Sequence, residues 1–136
     1  KAVHLLKEKI MSKNLNAEIL TIGNEVISGL IQDSNSRKLA AQLNDVGIWV
    51  TRMTSVGDDA SAIRQELDRA LAQAKVLIIT GGLGATHDDI TKKVLTEYFE
   101  TSLVPNERVR EMVTALCAKR GRAPTDILLT QCEFET

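Results

Sequence analysis

The sequence predicts an α/β fold built on a doubly wound, mostly parallel sheet arranged in three layers. Two observations carry this. Strand-like and helix-like segments alternate three times with short connections, the pattern of successive βαβ units. One strand candidate, Val76–Thr80 (VLIIT), is a continuous apolar run of the kind found in a parallel sheet covered on both faces. With 136 residues, 43% of them hydrophobic and 26% charged, the chain is expected to form one core without staples.

The elements follow in order. Ala17–Ile22 (AEILTI) is rich in β-branched residues and reads as a buried strand ending at Gly23. Asn24–Gln32 contains Gly29 and reads as a loop. Asp33-Ser34-Asn35-Ser36 offers several N-cap residues for a helix to about Val46, with Leu39, Leu43 and Val46 on one face and Gly47 as its stop. Ile48–Val56 alternates with period two, Ile48, Val50 and Val56 facing one way and Trp49 and Met53 the other, and Trp49 is expected in the core. Asp58 or Asp59 caps a second helix to about Ala74, with the stripe Ile63, Leu67, Ala70, Leu71 and Ala74. A third helix runs from Asp88 or Asp89 to about Phe99, burying Ile90, Val94, Leu95, Tyr98 and Phe99. Asn106 caps a fourth, with the stripe Val109, Met112, Val113 and Leu116. Ile127–Thr130 (ILLT) reads as a strand, and Gln131–Thr136 shows no pattern. Residues 1–16 form an N-terminal extension, and 17–136 form the domain.

Charge and cysteine use bound the function. Seventeen Lys and Arg against eighteen Asp and Glu leave a net charge of −1, which argues against a nucleic-acid or membrane-surface partner. No apolar run reaches the roughly 18 residues of a membrane span. Cys117 and Cys132 have neither metal-ligand spacing nor a disulfide framework, so a reducing, cytoplasmic setting is expected.

Ligands of open α/β sheets bind outside the carboxyl ends of the strands. If the strand order is 2-1-3, the loops Gly23–Gly29 and Gly81–Asp89 face each other there, with Gly57-Asp58-Asp59 on the same edge. All three carry carboxylates: Glu25, Asp58 with Asp59, and Asp88 with Asp89. Gly81-Gly82-Leu83-Gly84 lets the backbone take positive φ and lets an anion approach main-chain N–H groups. Asp88 and Asp89 either cap a helix or hold Mg²⁺, since phosphate beside several carboxylates requires a neutralising cation. Asn35 either caps its helix or hydrogen-bonds a ligand, with capping favoured.

The combination of GNEVISG, DSNS, VGDD and TGGLGATHDDIT resembles the molybdopterin-binding-like domain, and is most similar to the N-terminal domain of the competence/damage-inducible CinA family. Typical family forms are GTELLxG, DTNxxxL, VGD and TGGLGPTxDDxT. The resemblance spans roughly residues 17–121. It implies a three-layer α/β fold with a ligand crevice at that sheet edge, binding a nucleotide or pterin such as molybdopterin. It also implies metal-dependent hydrolysis of ADP-ribose to AMP and ribose 5-phosphate, with Asp58 and Asp89 as catalytic residues. Asp58, Asp88 and Asp89 would then hold Mg²⁺ or another divalent cation. Gly81, Gly82, Gly84, Thr86, Thr91, Glu25 and Asn35 would contact the ligand. Relatives oligomerise, so a homo-oligomer is expected. Asn24 stands where the family has threonine, and Ala85 where it has proline. The segment NPxGTAPG does not follow Arg122, so the expectation is a domain truncated at its C-terminal end or, alternatively, a divergent short form.

Overall fold

The computed structural model describes residues 15–84, 90–130 and 132–135. The chain divides into two compact units, Lys1–Gly82 and Leu83–Thr136. The expectations placed on residues 1–14, and on Thr86, Asp88 and Asp89, lie outside the described residues.

The first unit runs β1 (Asn16–Ile22), α1 (Asn24–Ile27), α2 (Ser34–Asp45), β2 (Trp49–Val56), α3 (Ala60–Gln73) and β3 (Val76–Thr80). Its sheet has the order β2-β1-β3 with both pairings parallel, so the mixed α/β fold with a parallel sheet is the one the alternation predicted. The register sets Ile22 against Val56 and Thr21 against Thr80, which brings the carboxyl ends of the three strands to one edge.

β1 lies in the middle and is buried from Ala17 to Ile22. Ala17, Ile19, Leu20 and Ile22 form the core with Ile63, Leu67 and Ala70, the i, i+4, i+7 stripe of α3. One charged residue shares this core. Glu18 is buried, and Arg69 of α3 meets both of its oxygens, at 2.6 and 3.3 Å, while its Nε donates to Glu66 at 2.7 Å. The two hydrogen-bonded carboxylates push the Arg69 pKa further up.

Several expectations are corrected. Trp49 is 72% exposed rather than in the core. β2 is an edge strand, and period-two alternation says which residues share a face, not whether that face is covered. β3 is half-buried along its length; full burial belongs to the central strand β1. Val46, Leu71 and Phe99 sit at the rims of their stripes and are exposed. The segment read as a loop after Gly23 contains the one-turn helix α1.

The second unit contains α4 (Thr91–Tyr98), β4 (Leu103–Pro105), α5 (Glu107–Lys119), α6 (Asp126–Thr130) and β5 (Glu133–Glu135). β4 and β5 pair antiparallel. Asn106 caps α5 as expected, its side chain accepting from the Val109 N–H at 3.1 Å. The run Ile127–Thr130 is helical rather than a strand. The Thr125 hydroxyl accepts from the Leu128 N–H and starts a helix there, and four apolar residues alone do not set a period. No described helix is long and apolar enough to cross a membrane.

Candidate functional site

The site begins with two threonines at the carboxyl ends of neighbouring strands, Thr80 the last residue of β3 and Thr21 the last but one of β1. Thr21 on β1 and Thr80 on β3 are register partners, their hydroxyls 3.3 Å apart at the carboxyl edge. Thr21 Oγ1 donates to Asp33 Oδ2 at 2.7 Å and lies 2.7 Å from Ser36 Oγ. Asp33 Oδ1 accepts from the Ser36 N–H at 3.0 Å and so caps α2. Asp33, not Asn35, is therefore the cap, and the favoured reading of Asn35 is corrected. Burial would push the Asp33 carboxyl up. Hydrogen bonds from the Ser36 hydroxyl and amide, the Thr21 hydroxyl and the Asn35 amide outweigh it and hold Asp33 below its ordinary value.

Around this cluster lies a crevice of about 160 Å³, walled by Thr21, Asp33, Thr80 and Gly81 together with the exposed residues Glu25 and Asn35. Three residues named from the sequence, Glu25, Asn35 and Gly81, thus meet at one place. Gly81 is there for a steric reason. Its φ is +87°, and a Cβ would fall 1.9 Å from the Ile22 carbonyl oxygen, so the chain leaving β3 crosses β1 at a distance only glycine permits. Gly82 also has positive φ, at +57°.

Asp58 sits on the loop after β2 and is tied to the loop after β1. Its Oδ2 accepts from the Asn24 N–H at 3.0 Å, and its own N–H donates to Asn24 Oδ1 at 3.2 Å. Asp59 is left to cap α3 through the Ala62 N–H at 2.8 Å. Gly57 leaves room for this exchange, because a Cβ there would meet Asn24 Oδ1 at 2.5 Å.

The remaining named residues belong to the second unit. Gly84 lines a separate groove, and Thr91 is fully buried as the first residue of α4. Among the described residues no group of three or more His, Cys, Asp or Glu side chains is gathered to hold a metal. Thr21, Thr80, Ser36 and Asn24 were not singled out as site residues, nor was Asp33 beyond capping. A signal existed for two of them: Thr21 and Thr80 are hydroxyl residues at or next to the carboxyl ends of their strands, each following an apolar run.

The family model described as "Probable molybdopterin binding domain" matches residues 18–131. A CinA-like protein of Cytophaga hutchinsonii is 45% identical over 112 residues, which cover 82% of this chain and 27% of that protein. Protein TK1472 of Thermococcus kodakarensis is 43% identical over 104 residues, 76% of this chain and 41% of that protein. The chain thus spans about a quarter of the length of the CinA-like relative. Among solved structures, CinA of Thermoplasma acidophilum superposes with a TM-score of 0.71 at 28% identity, covering 90% of this chain and 72% of that one. The tungsten cofactor synthesizing protein MoaB of Pyrococcus furiosus superposes at 0.62 with 21% identity over 79% of this chain and 65% of that one, a likeness of fold.

Proposed function

The chain belongs to the molybdopterin-binding-domain family, with CinA-like relatives, and we propose that it binds a nucleotide diphosphate and acts as a CinA-type, metal-dependent ADP-ribose pyrophosphatase. The observation that supports this most is the crevice where Glu25, Asp33 and the Gly81 turn meet at the carboxyl edge of β1 and β3, which at about 160 Å³ would take part of such a ligand, the rest lying outside it. A diphosphate would lie beside the Gly81-Gly82 turn, where the lack of side chains lets an anion approach the main chain closely. Glu25 would take the ribose or base hydroxyl and amino hydrogens, and Asn35 offers an amide beside it. Gly84, Thr86 and Thr91 enter this reading through the sequence motif.

In the proposal Mg²⁺ would be held by Asp58 with Asp88 and Asp89, and Asp58 is the described member of that set. A bound cation would neutralise the phosphates and lower the pKa of a water. The chain's own described residues have a different part. Asp33, kept ionised by its hydrogen bonds, fixes Thr21 and the start of α2, and the Asn24–Asp58 exchange fixes the loop that carries Glu25. A homo-oligomeric assembly belongs to the same proposal.

The test follows ADP-ribose and Mg²⁺ by phosphorus NMR with the wild-type chain, Asp58→Ala and Asp89→Ala. Conversion of the diphosphate signals to those of AMP and ribose 5-phosphate, lost in both variants, supports the hydrolase. Full turnover in Asp89→Ala removes it. A second reading is a molybdopterin or nucleotide binder without turnover. It is supported by the family model described as "Probable molybdopterin binding domain", which matches residues 18–131. It predicts saturable binding with no product.

A further inference from the structure

The geometry points to a second binding site, in the C-terminal unit, for a phosphate monoester that also bears a planar ring. It shares no residue with the crevice of β1 and β3 and does not rest on the function proposed for that crevice.

The site is a groove of about 610 Å³ lined by Val113, Leu116 and Cys117 of α5, Arg120 and Arg122 of the turn after it, and Leu128 of α6. That volume falls in the roughly 300–1,000 Å³ of small-molecule sites. Its floor is unspent apolar surface. The stripe of α5 is real in period, yet no residue of that helix is buried, and Leu116 keeps 49% of its surface exposed.

Its rim is cationic. Arg120 and Arg122 line it and Lys119 precedes them, while the neighbouring acidic residues Glu111 and Asp126 are not among the lining residues. Arg69 and Arg110 are paired with glutamates, whereas among the described residues the guanidinium groups of Arg120 and Arg122 have no hydrogen-bond or ion-pair partner. They are not needed as helix caps either. Two last-turn carbonyls of α5 are met by main-chain groups: the Arg120 and Arg122 N–H groups donate to Cys117 O and the Gly121 N–H to Ala118 O. That turn sets two planar, always-charged forks beside an aliphatic floor. Guanidinium binds phosphate bidentately and stacks on rings, and the floor covers the ring's other surface. An apolar ligand would leave the forks unused, and a bare anion would leave the floor open.

Cys117 is a reporter within the groove, while Cys132 is buried. The experiment measures alkylation of Cys117 by mass spectrometry, with IMP, inosine and inorganic phosphate as probes, alongside calorimetric titration. IMP is expected to bind saturably and slow Cys117 alkylation, with inosine and phosphate each at least about tenfold weaker. Arg120→Gln and Arg122→Gln should each weaken IMP by roughly tenfold, the usual worth of a charged hydrogen bond, without moving the melting temperature. Asp33→Asn, in the other crevice, should leave the protection intact. An unchanged Cys117 rate with IMP would overturn the proposal. So would protection that persists in the double arginine variant, or protection that disappears in Asp33→Asn.

Discussion

Asn24 and Asp58 exchange two hydrogen bonds across 34 positions of sequence, each main-chain N–H donating to the other's side chain at 3.0 and 3.2 Å. The loops after β1 and β2 are thereby fastened to each other, so Asp58 has a positioning role whether or not it also meets a cation. The two roles separate by mutation. Asp58→Asn keeps an acceptor oxygen but removes the charge, and is expected to melt within about 0.5 kcal/mol of wild type while losing Mg²⁺-dependent ligand binding. Asn24→Ala removes one acceptor and is expected to cost about 1 kcal/mol, because the pair is solvent-exposed. Thermal melts with and without Mg²⁺ check both.

Asp33 gives the fold a pH dependence of known sign. Its folded pKa lies below the ordinary 3.8, so the unfolded chain takes up the proton first. The stability it contributes is complete above about pH 4 and is lost as pH falls below that value and through the folded pKa. Asp33→Asn should therefore be less stable than wild type at pH 7, and the gap should narrow on acidification toward pH 3. Denaturant titrations at stepped pH measure it; a gap constant with pH would contradict the ionised Asp33.

Gly81 and Gly29 make a matched pair. Both have positive φ, +87° and +75°, but a Cβ at Gly29 meets nothing within 4 Å, whereas at Gly81 it meets the Ile22 carbonyl at 1.9 Å. Gly29→Ala is expected to cost the left-handed strain alone, about 1–2 kcal/mol. Gly81→Ala adds displacement of β3 from β1 and should exceed about 3 kcal/mol and distort the crevice. Equilibrium unfolding compares them directly.

Arg69→Leu should be more damaging than its position near the surface suggests. Glu18 keeps 5% of its side-chain surface, and losing its guanidinium leaves a buried carboxylate unpaired. A cost of about 2 kcal/mol is expected, below the full-burial range because Arg69 itself is 28% exposed. The double variant Glu18→Leu, Arg69→Leu should recover part of that loss, since apolar replacement of a buried pair is often neutral. Melting temperatures of the two variants, compared with wild type, decide it.

The alternation of elements, and with it the parallel sheet, follows from residues that are neighbours along the chain. The stripe Ile63, Leu67 and Ala70 and the apolar run of β1 carry their periods in the residues themselves, and Asp59 and Asn106 announce their helices through local hydrogen bonds. These are properties of neighbours in the chain. Exposure of Trp49, the helical state of Ile127–Thr130 and the separation of Asp58 from Asp59 into loop tie and helix cap are not. They depend on which strand ends at a sheet edge, which hydroxyl stands in front of a free N–H, and which loop lies opposite. The crevice has the same origin. Glu25, Asn35 and Gly81 were legible as glycine and polar punctuation, but Thr21, Asp33, Ser36 and Thr80 became one hydrogen-bonded cluster only when the register of β1 against β3 brought residues 59 positions apart to 3.3 Å.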